Sequence, residues 1–189
     1  MKVILINGSS REKQCTFVAL SECAKTLEEN GIQTQIIHVG NSDKANDPLF
    51  IRHVATLIEE ADGLIVGSPV YYAAPNGILS MFLTNLFAAI NKEKLIMMPA
   101  ASVTSARRAG TVSTLDQINK FFSYFQMPIV SSSYWPMLHG LSAEEAKKDL
   151  EGLQIMRTLA RNMAYMITSF TLAKLEKPKQ EKKVRTNFI

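Results

Sequence analysis

The stretch Val3-Ile4-Leu5-Ile6-Asn7-Gly8-Ser9-Ser10-Arg11-Glu12-Lys13-Gln14-Cys15-Thr16 passes from an aliphatic run through a hydroxyl-rich loop into helical spacing. The unbroken aliphatic run predicts a strand buried on both faces. The residues after the loop predict a helix over Gln14 to Asn30, with Gly31 placed to end it. A helix that starts directly beyond a buried strand offers unpaired N–H groups and a positive dipole end to an anion. Ser9, Ser10 and Thr16 can add hydroxyl donors, and Arg11 a forked guanidinium. The loop is neither G-x-G-x-x-G nor G-x-x-x-x-G-K-[ST], so a terminal monophosphate suits it better than a pyrophosphate. Taken alone, it reads equally well as an ordinary polar turn with a Ser/Thr cap.

Outward from this unit the same alternation repeats. Ile32 to Val39 predicts a second strand nearer an edge. Pro48 to Ala61 predicts a helix with its proline in the first turn, where a missing N–H costs nothing. Leu64-Ile65-Val66 predicts a third, buried strand. Asn76 opens an amphipathic helix whose Leu79, Phe82, Leu83, Leu86, Phe87 and Ile90 share one face. Ala100 to Thr104 predicts a fourth strand, and Thr111 to Gln126 a helix burying Leu115, Ile118, Phe122 and Phe125. Pro128-Ile129-Val130 begins a fifth strand. Ser142 to about Leu172 predicts one long final helix. Its Leu153, Met156, Ala160, Met163, Ile167 and Phe170 form a seam for the sheet, a partner subunit, or both.

Five strands alternating with helices imply an α/β fold, a parallel sheet covered on both faces and joined by right-handed crossovers. For five strands the leading order is 2-1-3-4-5, which opens a ligand crevice at the carboxyl ends of strands one and three. The unusual residues of the chain fall at those ends. After strand three comes Gly67-Ser68-Pro69-Val70-Tyr71-Tyr72-Ala73-Ala74-Pro75-Asn76-Gly77, stiffened by two prolines and able to hold a flat ring, or else a structural turn. After strand four comes Thr104-Ser105-Ala106-Arg107-Arg108-Ala109-Gly110-Thr111. Its N–H groups can meet ring atoms, and its arginines can favour a reduced, negatively charged ring or a nicotinamide phosphate, or one of them can be an ordinary solvated charge.

The 189 residues, 47% hydrophobic, suit one domain over residues 1–173. The net charge of +4 is local. Lys174, Lys177, Lys179, Lys182, Lys183 and Arg185, against Glu176 and Glu181, account for all of it, so residues 174–189 form a basic polar tail. The tail offers only Phe188 for stacking on a base, which argues against a nucleic-acid partner. No apolar run approaches the roughly 20 residues that span a bilayer. The first apolar run is too short for a signal peptide, so the expected location is the cytoplasm. Cys15 and Cys23 match no metal-ligand spacing, and no metal is expected.

The three strand-end segments together resemble the NADPH-dependent FMN reductase family of flavodoxin-like proteins. The carrying residues are Gly8-Ser9-Ser10-Arg11 with Thr16, Gly67 to Tyr72 with Pro75-Asn76-Gly77, and Ser105-Ala106-Arg107-Arg108 with Gly110-Thr111. Asp116 to Lys120 and Gln126 to Ser132 are similar to members close to the iron–sulfur flavoproteins. The resemblance spans roughly Met1 to Gly140. It implies a flavodoxin-like three-layer sandwich that binds FMN and takes electrons from NADPH or NADH. It implies phosphate ligands at Ser9, Arg11 and Thr16, with Cys15 also among the cofactor-binding residues. It implies a ring-side loop of Pro69, Val70, Tyr71, Tyr72, Asn76 and Gly77, and an opposite wall of Ser105, Ala106, Arg107, Gly110 and Thr111. Trp135 and His139 either approach a flavin, across a subunit interface, or serve structure, Trp135 as a buried residue. Iron–sulfur members carry a cysteine cluster after the second strand; Gly40 to Pro48 has none, so a flavin-only protein is expected.

The activity so implied is an FMN-dependent NAD(P)H oxidoreductase passing electrons to a small acceptor: a quinone, a nitro- or azo-aromatic, or free flavin. No side chain is required as a catalytic acid or base, since the flavin carries the chemistry. The alternatives are a flavodoxin-type electron carrier with a protein partner, which the neutral body disfavours, and a flavin-binding protein without turnover. A homodimer or homotetramer is expected.

Overall fold

In a computed structural model, residues 1–174, 176–182 and 184–186 are described. Lys183 and Phe188, counted above in the basic tail, lie outside the described residues. The first strand, β1 (Lys2–Asn7), is followed by helix α1 (Cys15–Glu29), β2 (Gln33–His38), a short α2 (Ser42–Asn46) and α3 (Pro48–Glu59). Then come β3 (Gly63–Tyr71), a two-residue β4 (Ala74–Pro75), α4 (Gly77–Ala89), α5 (Lys92–Leu95), β5 (Ala100–Ala106) and α6 (Thr111–Tyr124). The chain closes with β6 (Met137–His139), α7 (Ala143–Ala146) and α8 (Leu150–Ala173).

The sheet runs β2-β1-β3-β5-β6, all parallel, while β4 only folds back on β3 as a hairpin. Without that hairpin strand the order is the expected 2-1-3-4-5. Period-two alternation divides the strands between two cores. Ile4, Ile6, Leu64 and Val66 face Phe82, Leu86 and Phe122 on the α3, α4 and α6 side. Val3, Leu5, Ile65 and Val103 face Leu20, Leu27, Met156 and Met163 on the α1 and α8 side. Fully burying one such aliphatic side chain is worth about 1.5–3 kcal/mol, so each layer is held by many comparable contributions. Among the described residues no helix is long and apolar enough to cross a membrane.

Two expectations need correction. Pro128-Ile129-Val130 does not begin a continuous fifth strand: Ile129 makes an isolated bridge with Ala100, and the ladder resumes only at Met137 opposite Thr104. Between them the chain bulges away, Ser132 Oγ donates to the Ile155 carbonyl at 2.7 Å, and Pro136 has no N–H to give the ladder. The final helix is not continuous from Ser142. It breaks after Ala146, and Asp149 restarts it by accepting the Gly152 N–H at 2.9 Å. Asp149 Oδ2 also accepts the His139 N–H at 2.7 Å, fastening β6 to the head of α8.

The seam on α8 packs inside the chain. Met156, Ala160, Met163 and Ile167 are buried in the core shared with α1, while Phe170 is partly exposed. The described part of the tail lies against the amino-end side of the sheet. There Lys177 Nζ donates to the Glu93 carbonyl at 3.1 Å, and Gln126 Nε2 to Gln180 Oε1 at 2.9 Å.

Candidate functional site

Strand register brings the three expected segments together. Asn7 lies beside both His38 and Gly67, and Pro69 lies opposite Ser105. The loop after β1 thus borders the ends of β2 and β3, and the β3 loop borders β5.

The loop from Gly8 to Gln14 is fixed by side chains from three strand ends. Asn7 Oδ1 accepts the Ser9 N–H at 3.1 Å, and Asn7 Nδ2 donates to the Glu12 carbonyl at 2.7 Å. Asn76 Nδ2 donates to the Gly8 carbonyl at 2.8 Å. His38 Nε2 meets the Ser9 carbonyl at 2.6 Å. Ser9 Oγ accepts the Arg11 N–H at 3.2 Å, which shapes the turn. Three loop carbonyls, whose negative ends would repel an anion, are therefore engaged by protein donors. Among the described residues, the N–H groups of Ser10, Cys15, Thr16 and Phe17 find no protein acceptor.

Helix capping separates this region from the rest of the molecule. The amino ends of α2, α3, α4, α5, α7 and α8 are capped by Asn41, Asp47, Asn76, Asn91, Ser142 and Asp149. Those of α1, at Gln14, and α6, at Gly110, have no side-chain cap. These are the two helices that start from the β1 and β5 loops. A protein that caps its other described helices and leaves these two open keeps donors for something else.

The walls are tied to each other. The hydroxyls of Thr16 and Ser105 are 2.8 Å apart and buried. Ser10 Oγ and Tyr71 Oη are 3.3 Å apart. Tyr72 (φ +52°) and Ala73 (φ +57°) form the tight hairpin turn between β3 and β4, which projects Tyr72 fully into solvent. Ser113 Oγ and Gln117 Nε2 hold the Ala73 carbonyl at 2.9 and 3.0 Å, docking the hairpin on α6. Gly110 adopts φ +96°, and a Cβ there would come within 2.9 Å of Val70 and 3.1 Å of Ala73. Only glycine lets the β5 loop pass this close to the hairpin.

Of the expected cofactor residues, Ser9, Cys15, Thr16, Asn76, Ser105 and Thr111 are buried. Pro69, Val70, Ala106 and Gly110 are half-buried, and Arg11, Tyr71, Tyr72, Gly77 and Arg107 are exposed. Several buried ones work within the protein. Cys15 Sγ points to the Gly140 carbonyl at 3.4 Å, and burial pushes its thiol pKa up, partly offset by the nearby dipole of its own backbone N–H and by Arg11. Thr111 Oγ1 donates to Met137 Sδ at 3.3 Å. Trp135 is half-exposed and packs edge-on against Tyr134, so the reading of a buried structural Trp is corrected. It lines a cavity of about 410 Å³ with Ser102, Leu115, Asn119, Ile129 and Pro136. None of these is an expected cofactor residue.

The residues missed in the sequence are Asn7, Gly8 and Asn76 in their loop-clamping contacts, and above all His38 and Gly40. A Cβ on Gly40 would lie 1.7 Å from the Ser9 oxygen, so the turn after β2 presses directly on the Ser9–Ser10 peptide. A polar residue ending an otherwise apolar strand, as at Asn7, was a legible signal; His38 and Gly40 carry none without the strand pairing.

The residue set fits FMN: open helix termini and Arg11 for a phosphate, and a rigid aromatic hairpin and a glycine-narrowed wall for a ring. An iron–sulfur cluster does not fit. It usually takes about four thiolates, and the two cysteines here are both on α1 and buried.

Comparison with known proteins agrees. The family model described as NADPH-dependent FMN reductase matches residues 1–141. An iron–sulfur flavoprotein of Methanocaldococcus jannaschii is 28% identical over 195 residues, covering 88% of this chain and 97% of that protein. An FMN reductase (NADPH) of Escherichia coli is 27% identical over 156 residues, covering 78% and 75%. A solved flavodoxin from the domain Archaea shares the fold with a TM-score of 0.66 at 16% identity, covering 89% of this chain and 99% of that one. The matched region contains the β1, β3 and β5 loops and both uncapped helix starts, and the chain belongs to the NADPH-dependent FMN reductase family.

Proposed function

We propose that this chain is an FMN-dependent NAD(P)H oxidoreductase whose cofactor lies across the carboxyl ends of β1, β3 and β5. The observation that carries the placement is the pair of uncapped amino ends, α1 and α6, opening from adjacent loops. In this reading the Ser10, Cys15, Thr16 and Phe17 N–H groups, with the Arg11 guanidinium, hold the phosphate. Ser9 and Thr16 act by shaping that cradle. The segment Pro69 to Tyr72 flanks the ring on one side; Ser105, Ala106, Arg107 and Gly110 flank it on the other. Arg107, exposed at the rim, supplies positive charge where a reduced ring or a nicotinamide phosphate brings negative charge. The chemistry that FMN supplies when bound is two-electron exchange between a nicotinamide and an acceptor.

The acceptor is a small molecule in this proposal, a quinone, a nitro- or azo-aromatic, or free flavin, supported by the exposure of Tyr71 and Tyr72 beside the crevice. Residues 1–173 form the catalytic domain and 174–189 a basic tail. A homodimer or homotetramer is part of the same proposal. It is supported by the half-exposed Tyr134–Trp135 pair next to β6, and it would bring Trp135 and His139 of one subunit to the flavin of another. A cytoplasmic location is supported by two thiols left free and buried. Steady-state oxidation of NADPH and NADH with each acceptor, with and without added FMN, tests the activity. FMN-dependent turnover with at least one acceptor is expected; none with any acceptor overturns the proposal.

A further inference from the structure

The Ser9–Ser10 peptide is held from outside its own loop. His38, the last residue of β2, places Nε2 at 2.6 Å from the Ser9 oxygen. A carbonyl oxygen only accepts, so Nε2 carries the proton and donates. Two residues on, Gly40 is buried with its Cα side against the same peptide, where a Cβ would meet Ser9 O at 1.7 Å and Ser10 N at 2.8 Å. A trans peptide is planar, with its C=O and N–H pointing in opposite directions. Fixing the Ser9 oxygen toward β2 therefore fixes the Ser10 N–H away from β2. That N–H has no protein acceptor among the described residues.

We propose that His38, seated by the bare backbone of Gly40, is a positioning residue for the flavin phosphate: it orients the Ser9–Ser10 peptide so that the Ser10 N–H faces the anion. The inference rests on the reading that the loop from Ser9 to Thr16 holds a phosphate. His38 touches the loop carbonyl and not the ligand. Its effect is selective for the phosphate over the ring, because the hairpin that carries Tyr71 and Tyr72 is docked on α6 through the Ala73 carbonyl, held by Ser113 and Gln117. It also gives β2, an edge strand with no residue among the expected ligands, a part in cofactor choice.

The test compares FMN with riboflavin, which lacks only the phosphate, by equilibrium titration of the wild type, His38→Leu and His38→Gln. The glutamine amide nitrogen is as many bonds from Cβ as the histidine Nε2, so His38→Gln can restore the donor. The expected result is tighter binding of FMN than of riboflavin by the wild type. His38→Leu should weaken FMN binding about tenfold, the scale of one lost anion-directed hydrogen bond, with riboflavin binding unchanged. His38→Gln should recover most of the loss. If the wild type binds both flavins equally, the phosphate reading itself fails. If the wild type discriminates and His38→Leu discriminates equally well, the phosphate reading stands and the role given to His38 is wrong. Equal weakening of both flavins by His38→Leu also overturns that role, since it reports general damage to the crevice.

Discussion

The hydroxyls of Thr16, in the first turn of α1, and Ser105, near the end of β5, lie 2.8 Å apart on two buried residues. This bond joins the open end of α1 to the strand two places away from β1 in the sheet, and so fixes the distance between the β1 loop and the β5 loop. Removing one partner strands a buried hydroxyl. Thr16→Val and Ser105→Ala should each lower stability by about 1–3 kcal/mol, and the double variant by less than their sum. Urea unfolding of the four proteins measures it, and strict additivity would show that the two hydroxyls do not interact. The contact also means that Thr16→Ala reduces stability as well as FMN affinity, so it is a poorer probe of the phosphate than Arg11.

Arg11 is that probe. It is exposed, and no ion pair involving it occurs among the described residues. Arg11→Ala should leave stability within about 0.5 kcal/mol of wild type, as for most surface changes. It should weaken FMN binding roughly tenfold or more, the scale of a charge-assisted hydrogen bond. The loss should shrink as salt is raised. Thermal melting and FMN titration at two ionic strengths check both halves; unchanged FMN affinity counts against the phosphate loop.

Gly110 carries a different load. Alanine at φ +96° is strained, and its methyl would press on Val70 and Ala73. Gly110→Ala should cost about 1–2 kcal/mol. By pushing the hairpin off α6 it should weaken FMN and riboflavin alike, the opposite signature to Arg11→Ala. Parallel titrations of the two flavins distinguish them.

The cysteines give a pH prediction. Burial pushes the thiol pKa of both Cys15 and Cys23 up, Cys23 much further. The native state therefore keeps protons that the unfolded chain releases near the ordinary value of 9.0. Below that value both states hold the proton and the thiols add no pH dependence. As pH rises through and beyond it, the unfolded state is favoured and this contribution to stability is lost. Folded protein at about pH 8 should react slowly with a thiol reagent at both sites, Cys23 the slower, and protein in urea quickly at both. Rapid labelling of Cys23 in the folded state would show that α1 opens readily.

Much of this architecture is legible in the residues. Buried parallel strands advertise themselves as unbroken aliphatic runs, and the amphipathic face of α4 fixes its orientation from Leu79, Phe82 and Phe87 alone. Asn76 announces a helix start, and the loops after β1, β3 and β5 are each odd enough to notice. What the chain hid was non-local. Val130 has the composition of a strand, but the Ser131-Ser132-Ser133 run and Pro136 take the backbone out of the ladder before Met137 restores it. Asp149 looks like any surface acid until Gly152 and His139 are seen to converge on it. His38 sits in a polar-edged strand with no motif around it, and only the pairing of β2 with β1 brings it to Ser9. Thr16, whose residue type suggests a phosphate ligand, has its hydroxyl turned to Ser105, and nothing in the local sequence signals that pairing.

FMN is proposed to sit with its phosphate at the open end of α1 and its ring between the β3 hairpin and the β5 loop. Electron density for FMN in a crystal of the complex tests this most directly. The expected result is phosphate oxygens within hydrogen-bonding distance of the Ser10 and Thr16 N–H groups and the Arg11 guanidinium, with the ring between Tyr71 and Gly110. Density for the phosphate anywhere else, for instance in the cavity beside Trp135, would contradict it.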